Sequence, residues 1–95
     1  MSIRASAKVL TDTPGRYIGR LCKHFAHKIP VRYDERQGRI EFAFGVGTLE
    51  AQEDGLVLRA EAAREEDLDR LKEVLASHFE RFAWQEALTL NWQAA

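Results

Sequence analysis

The sequence predicts an α+β fold: a two-layer sandwich in which two helices cover one face of a mostly antiparallel sheet, in the order β-α-β-β-β-β-α-β. Two observations carry that prediction. Several short stretches alternate apolar and polar residues, the mark of half-buried strands. Two longer stretches repeat apolar residues at helical spacing, so each helix has one face to bury.

The first strand is read from Ile3, Ala5, Ala7 and Val9 alternating with Arg4, Ser6 and Lys8. Thr13 then stands where a helix cap belongs, and Pro14 suits a first turn. That helix is expected to run to about Lys28, because Pro30 forbids much more. Val31 and Tyr33 flank Arg32 in a short strand, and the stretch 34–38, DERQG, turns the chain. Ile40, Phe42 and Phe44 make the next inward row. Gly45 and Gly47 are expected to bracket a tight turn. Leu49 and Ala51 then point one way, with Thr48 and Glu50 the other. Glu53, Asp54 and Gly55 suit a hairpin turn, and Leu56, Leu58 and Ala60 follow as an inward row.

The second helix is expected over about Arg64 to Phe82. Glu65, Glu66 and Asp67 fall in its first turn, where the helix dipole favours negative charge. Leu68, Leu71, Leu75, Phe79 and Phe82 form its apolar stripe. Leu88, Leu90 and Trp92 alternate with Thr89 and Asn91, which predicts a last strand.

Ninety-five residues make one domain, residues 1–95. With 45% hydrophobic residues the chain has the apolar content that disordered chains lack. No run of 18 apolar residues offers a membrane span. The N-terminal MSIRASAKVL has no apolar core of a signal peptide. Cys22 is the only cysteine, so no internal disulfide can form. Together these lead us to expect a cytoplasmic protein. The net charge of −1 conceals a polarity. Residues 1–39 hold nine Lys/Arg against three Asp/Glu, and residues 40–95 hold five against twelve. No acid lies between Asp12 and Asp34, a stretch with Arg16, Arg20, Lys23, Lys28 and Arg32.

The string LCKHFAHK invites a metal reading, but helix geometry opposes it. At about 100° per residue, Cys22 and His24 lie roughly 160° apart. Cys22 falls on the flank of the stripe Tyr17, Ile18, Leu21 and Phe25. His24 and His27 fall with Arg16, Arg20 and Lys23 on the polar face. Ligands of one zinc must converge, so no metal site is expected. His78 lies between Leu71 and Val74 on the apolar side of the second helix, where a histidine is expected to be buried and hydrogen-bonded. If the helices pack side by side, Cys22 and His78 could share a pocket, and a Cys-His pair is the minimum for a thiol nucleophile.

Gly45 to Thr48 joins two predicted strands with no helix behind it, so it is no phosphate loop. No dinucleotide fingerprint or zinc signature occurs, and no cofactor is expected. An RNA-binding sheet presents aromatic and basic residues on its open face. Here Phe42, Phe44, Trp84 and Trp92 are expected in the core and the exposed rows read as acidic or neutral, which disfavours nucleic acid. The candidate binding surface is the basic helix face, Arg16, Arg20, Lys23, His24 and His27, facing an anion or an acidic partner.

TPGRYIGRLCKHFAHKIPV, GRIEFAFGVGTLEA and LKEVLASHFERFA followed by LTLNW resemble the bacterial family catalogued as domain of unknown function 2218. The resemblance covers nearly the whole chain and is most specific at LCKHFAHK. Some members are joined to, or encoded beside, siderophore-interacting proteins, the flavin-dependent enzymes that reduce ferric siderophores. The resemblance therefore implies a place in iron use and no activity; the basic helix face adds such a reductase or a small anionic ligand as the expected partner. The resemblance brings no catalytic or binding residues with it. Three readings stay open: a non-enzymatic binding or accessory module, a structural homodimer whose oppositely charged halves meet across subunits, and a small enzyme using Cys22 or His78.

Overall fold

Alternation, helical spacing and turn chemistry are realised as β1 (Ile3–Leu10), α1 (Pro14–Ala26), β2 (Val31–Tyr33), β3 (Gln37–Phe42), β4 (Gly45–Gln52), β5 (Gly55–Ala62), α2 (Glu65–Phe82) and β6 (Gln93–Ala94). A short 3-10 turn, Trp84–Glu86, follows α2. The computed structural model describes residues 2–94. All strands pair antiparallel in one sheet of order β2-β3-β4-β5-β1-β6. The first strand therefore sits inside the sheet, between β5 and the short β6. Both helices lie on one face: α1 over β2, β3 and β4, and α2 over β4, β5 and β1. This is the α+β sandwich that the sequence predicts.

The core is the layer between helices and sheet. Ile18, Leu21 and Cys22 from α1, Leu71, Leu75 and Phe79 from α2, and Ile40, Leu56 and Leu58 from the strands are fully buried. Burying a side chain such as Leu71 or Leu75 contributes about 1.5–3 kcal/mol. Small inward residues, Ala5 and Ala7 in β1 and Ala60 and Ala62 in β5, let α2 settle close to the sheet.

Four local expectations are corrected. Gly45 and Gly47 do not bracket a turn: the turn is Ala43–Phe44, and both glycines lie in β4. They are needed for close approach. A Cβ on Gly45 would meet the Glu61 carbonyl oxygen at 2.6 Å, and one on Gly47 would meet Leu75 at 3.0 Å. Second, Phe44 falls in that turn and is only half-buried, with the Arg70 guanidinium 4.2 Å from its ring centroid. Phe42 is also half-buried. Third, the final strand is only Gln93–Ala94, paired to Ser6 and Ala5. Residues 88–92 instead form an irregular connection outside the sheet ladder, tethered where the Leu90 N–H donates to Glu80 Oε2 at 3.1 Å. Alternation there reports one-sided burial without ladder pairing. Fourth, Trp84 is 70% exposed, in the 3-10 turn, and is not a core residue.

Candidate functional site

The polar face of α1 starts from simple spacing: Arg16, Arg20, Lys23 and His27 recur every three or four residues, so they share one edge. All four are exposed. The helices meet through Phe25 against His78 and Tyr17 against Phe79, and the Tyr17 hydroxyl also reaches Glu86 beyond α2. The acidic first turn of α2 does not neutralise the ridge. Glu66 pairs with Arg64, and Asp69 with Lys72. Among the described residues no Asp or Glu oxygen lies within 4.0 Å of a ridge nitrogen. Glu86 shares a shallow hollow with Arg16 and Arg20 and accepts a hydrogen bond from the Tyr17 hydroxyl.

His24 does not stand with that ridge. Its ring lies 4.9 Å from His78 and 5.8 Å from Phe82, centroid to centroid, on the flank facing α2. The reason is helical geometry: position 24 is seven residues after Tyr17, about 20° from the same azimuth, and so belongs to the Tyr17–Leu21 ridge. Partial desolvation first, then the charges of His78, Lys28, Arg81 and His27, hold the His24 imidazole below its ordinary pKa. His78 is half-buried, less than expected; its Nδ1 is 2.7 Å from the Val74 carbonyl oxygen of its own helix.

Cys22 and His78 are not brought into a hydrogen bond among the described residues. The Cys22 sulfur faces the sheet at Gly38, whereas His78 faces His24 and Phe25. Burial pushes the Cys22 thiol up to about 12, far from thiolate at neutral pH. No group of three or more His, Cys, Asp or Glu side chains is placed to hold a metal among the described residues.

The other sheet face carries what the sequence reading missed. One of its exposed rows is neither acidic nor neutral but basic. The register places Arg32 opposite Arg39, Arg39 opposite Thr48, Thr48 opposite Arg59, and Arg59 opposite Ser6. Three arginines thus stand in one row across β2 to β5, on the face that neither helix covers. They line a hollow of about 530 Å³ together with Thr48 and Glu50. Arg59 donates to Glu50 at 2.8 Å, while no carboxylate lies within 4.0 Å of Arg32 or Arg39 among the described residues. Asp34, on the rim, is already engaged: its Oδ1 accepts the backbone N–H groups of Arg36 and Gln37, which hold its carboxyl below the usual range. Odd-even parity in the sequence does put Arg32, Arg39 and Arg59 on the outer side of their strands. Nothing in the sequence shows that they share a row.

Residues 6–93 match the sequence pattern of the domain of unknown function 2218 family, described as an uncharacterized protein conserved in bacteria. The chain belongs to that family. A solved structure agrees: the NMR structure of PA4090 from Pseudomonas aeruginosa is 33% identical, with a TM-score of 0.80 over 96% of this chain and 95% of that one. That structure and this chain share the same sandwich across a divergence of about two residues in three. Among curated proteins no sequence matches this chain. No helix of this family member is long and apolar enough to cross a membrane among the described residues.

Proposed function

We propose that this protein is a non-enzymatic binding module that meets an anionic partner through the α1 ridge, Arg16, Arg20, Lys23 and His27. The observation that carries the reading is that these side chains are exposed and, among the described residues, without a carboxylate within ion-pair distance, in a chain whose net charge is −1. Glu50, Asp54, Glu61, Glu66 and Asp69 are committed to ion pairs away from the ridge. Arginine suits a carboxylate-rich surface because its planar fork holds oxyanions in pairs, and a positive ridge speeds encounter in a salt-sensitive way. The family to which LCKHFAHK and HFERFA point has some members joined to, or encoded beside, siderophore-interacting reductases, which supports iron use as the setting, with an acidic patch on such a reductase as the partner. The buried thiol of Cys22, set against Gly38 with its pKa raised, gives the nucleophile reading little support.

The test is the combined variant Arg16→Ala, Arg20→Ala and Lys23→Ala, compared with the parent for binding a cognate reductase at low and high salt. Weaker binding at low salt, converging at high salt, is the expected result. Unchanged low-salt affinity in a variant that still folds overturns the reading.

A further inference from the structure

We infer that the open face of the sheet is a second, separate binding site, for a small ligand carrying two or more oxyanion groups. The argument starts from the register. Arg32 and Arg39 are directly opposed on β2 and β3, and like charges directly opposed across strands work against folding. No carboxylate of the described residues relieves them within 4.0 Å. An anion between the two guanidinium groups does.

The rest of the row sets what that anion must be. Neighbouring strands lie about 4.8 Å apart, so Arg59 stands roughly 10 Å from Arg39, with the short Thr48 between them. Glu50 takes one nitrogen of Arg59, and the guanidinium fork has further N–H donors to offer. Two oxyanion groups on one ligand fit this pattern, one at the Arg32–Arg39 pair and one at Arg59, with the Thr48 hydroxyl between. The hollow of about 530 Å³ is of the size that small-molecule sites have.

The flanking rows argue against a long polyanion. On one side the outward residues of β3 and β5 are Glu41 and Glu61; on the other, β4 offers Glu50. Glu61 is paired with Arg4 and Glu50 with Arg59, which leaves Glu41 as the carboxylate of these three with no ion-pair partner among the described residues, and it repels a phosphate backbone that runs past the arginine row. Carboxylates and phosphates meet the arginines through the same oxyanion chemistry, so the choice between them is left to the probes.

The experiment is an NMR titration of the full chain with citrate, pyrophosphate, acetate and a short single-stranded RNA. It is repeated with Arg32→Gln, with Arg39→Gln, and with the α1 variant Arg16→Ala, Arg20→Ala and Lys23→Ala. Saturable shifts around Thr48 with citrate or pyrophosphate, and not with acetate, are expected. Either single arginine variant should weaken that binding roughly tenfold or more, while the α1 variant leaves it within about twofold, which separates this site from the ridge. Arg32 and Arg39 are exposed, so both variants are expected to fold, with a melting point no lower than the parent's. The inference is overturned if neither citrate nor pyrophosphate saturates at about 10 mM. It is equally overturned if both arginine variants bind as the parent does, or if RNA alone binds.

Discussion

The Cys22 sulfur occupies the space above Gly38: a Cβ built on that glycine would stand 2.6 Å from Sγ. Helix α1 and strand β3 thus meet through a side chain on one side and its absence on the other. Gly38→Ala should destabilise the fold by about 1–3 kcal/mol, the usual range for overpacking. In a Cys22→Ala background the same substitution should cost less, because the colliding atom is gone. Chemical denaturation of the four proteins of this cycle measures the coupling, and equal costs in both backgrounds would show that the contact is not what limits Gly38.

Leu75 plays the matching part for α2. It is fully buried and lies over Gly47 in β4. Leu75→Ala should cost about 2–5 kcal/mol by lost burial and the cavity it leaves. A loss under about 0.5 kcal/mol, the range of surface substitutions, would mean that α2 does not seal the sheet as described.

His24 should make stability depend on pH. Its pKa is lowered in the folded protein, so below neutrality the unfolded chain takes up its proton first. The contribution is fully present above the ordinary histidine value of about 6.5 and is lost as pH falls from there through the lowered folded value. Midpoints of denaturation from pH 8 to pH 5 should therefore decline less steeply in His24→Gln than in the parent. An NMR titration that places the His24 ring at or above about 6.5 would contradict this assignment.

Glu80 tethers the connection into β6 by accepting the Leu90 N–H. Glu80→Ala should speed hydrogen exchange at the Leu90 amide severalfold, and more than at Leu58 in the middle of β5, since local opening does not require global unfolding. Equal acceleration at both amides would point to a global effect instead.

Tyr17→Phe removes the donor to Glu86 at the junction of α1 and the 3-10 turn. A cost of about 1 kcal/mol is expected for a part-exposed bond to a carboxylate. Thermal unfolding of Tyr17→Phe checks it, and an unchanged melting point would show that water replaces the bond without loss.

Much of the fold was legible in the sequence, because the periods that form its elements are local. Alternation at Ile3–Val9 and Leu56–Ala60, and the stripe Leu68–Phe82, each state which side of one element is buried. Misreadings arose where a second cause imitates a local signal. Gly45 and Gly47 looked like a turn and serve close approach to Leu71 and Leu75. Leu88, Leu90 and Trp92 alternate through one-sided burial in a segment that pairs only at its end.

The sequence by itself determined the element order, the inward faces, the α1 ridge of Arg16, Arg20, Lys23 and His27, and the family through its motifs. Only the tertiary structure decided that β1 lies between β5 and β6, that His24 meets His78, that Cys22 faces Gly38, and that Arg32, Arg39 and Arg59 form one row. The physical reason is the same in each case. Spacing along a chain sets the side a residue faces, whereas its neighbour across a strand or helix is set by register and packing, which couple residues distant in sequence.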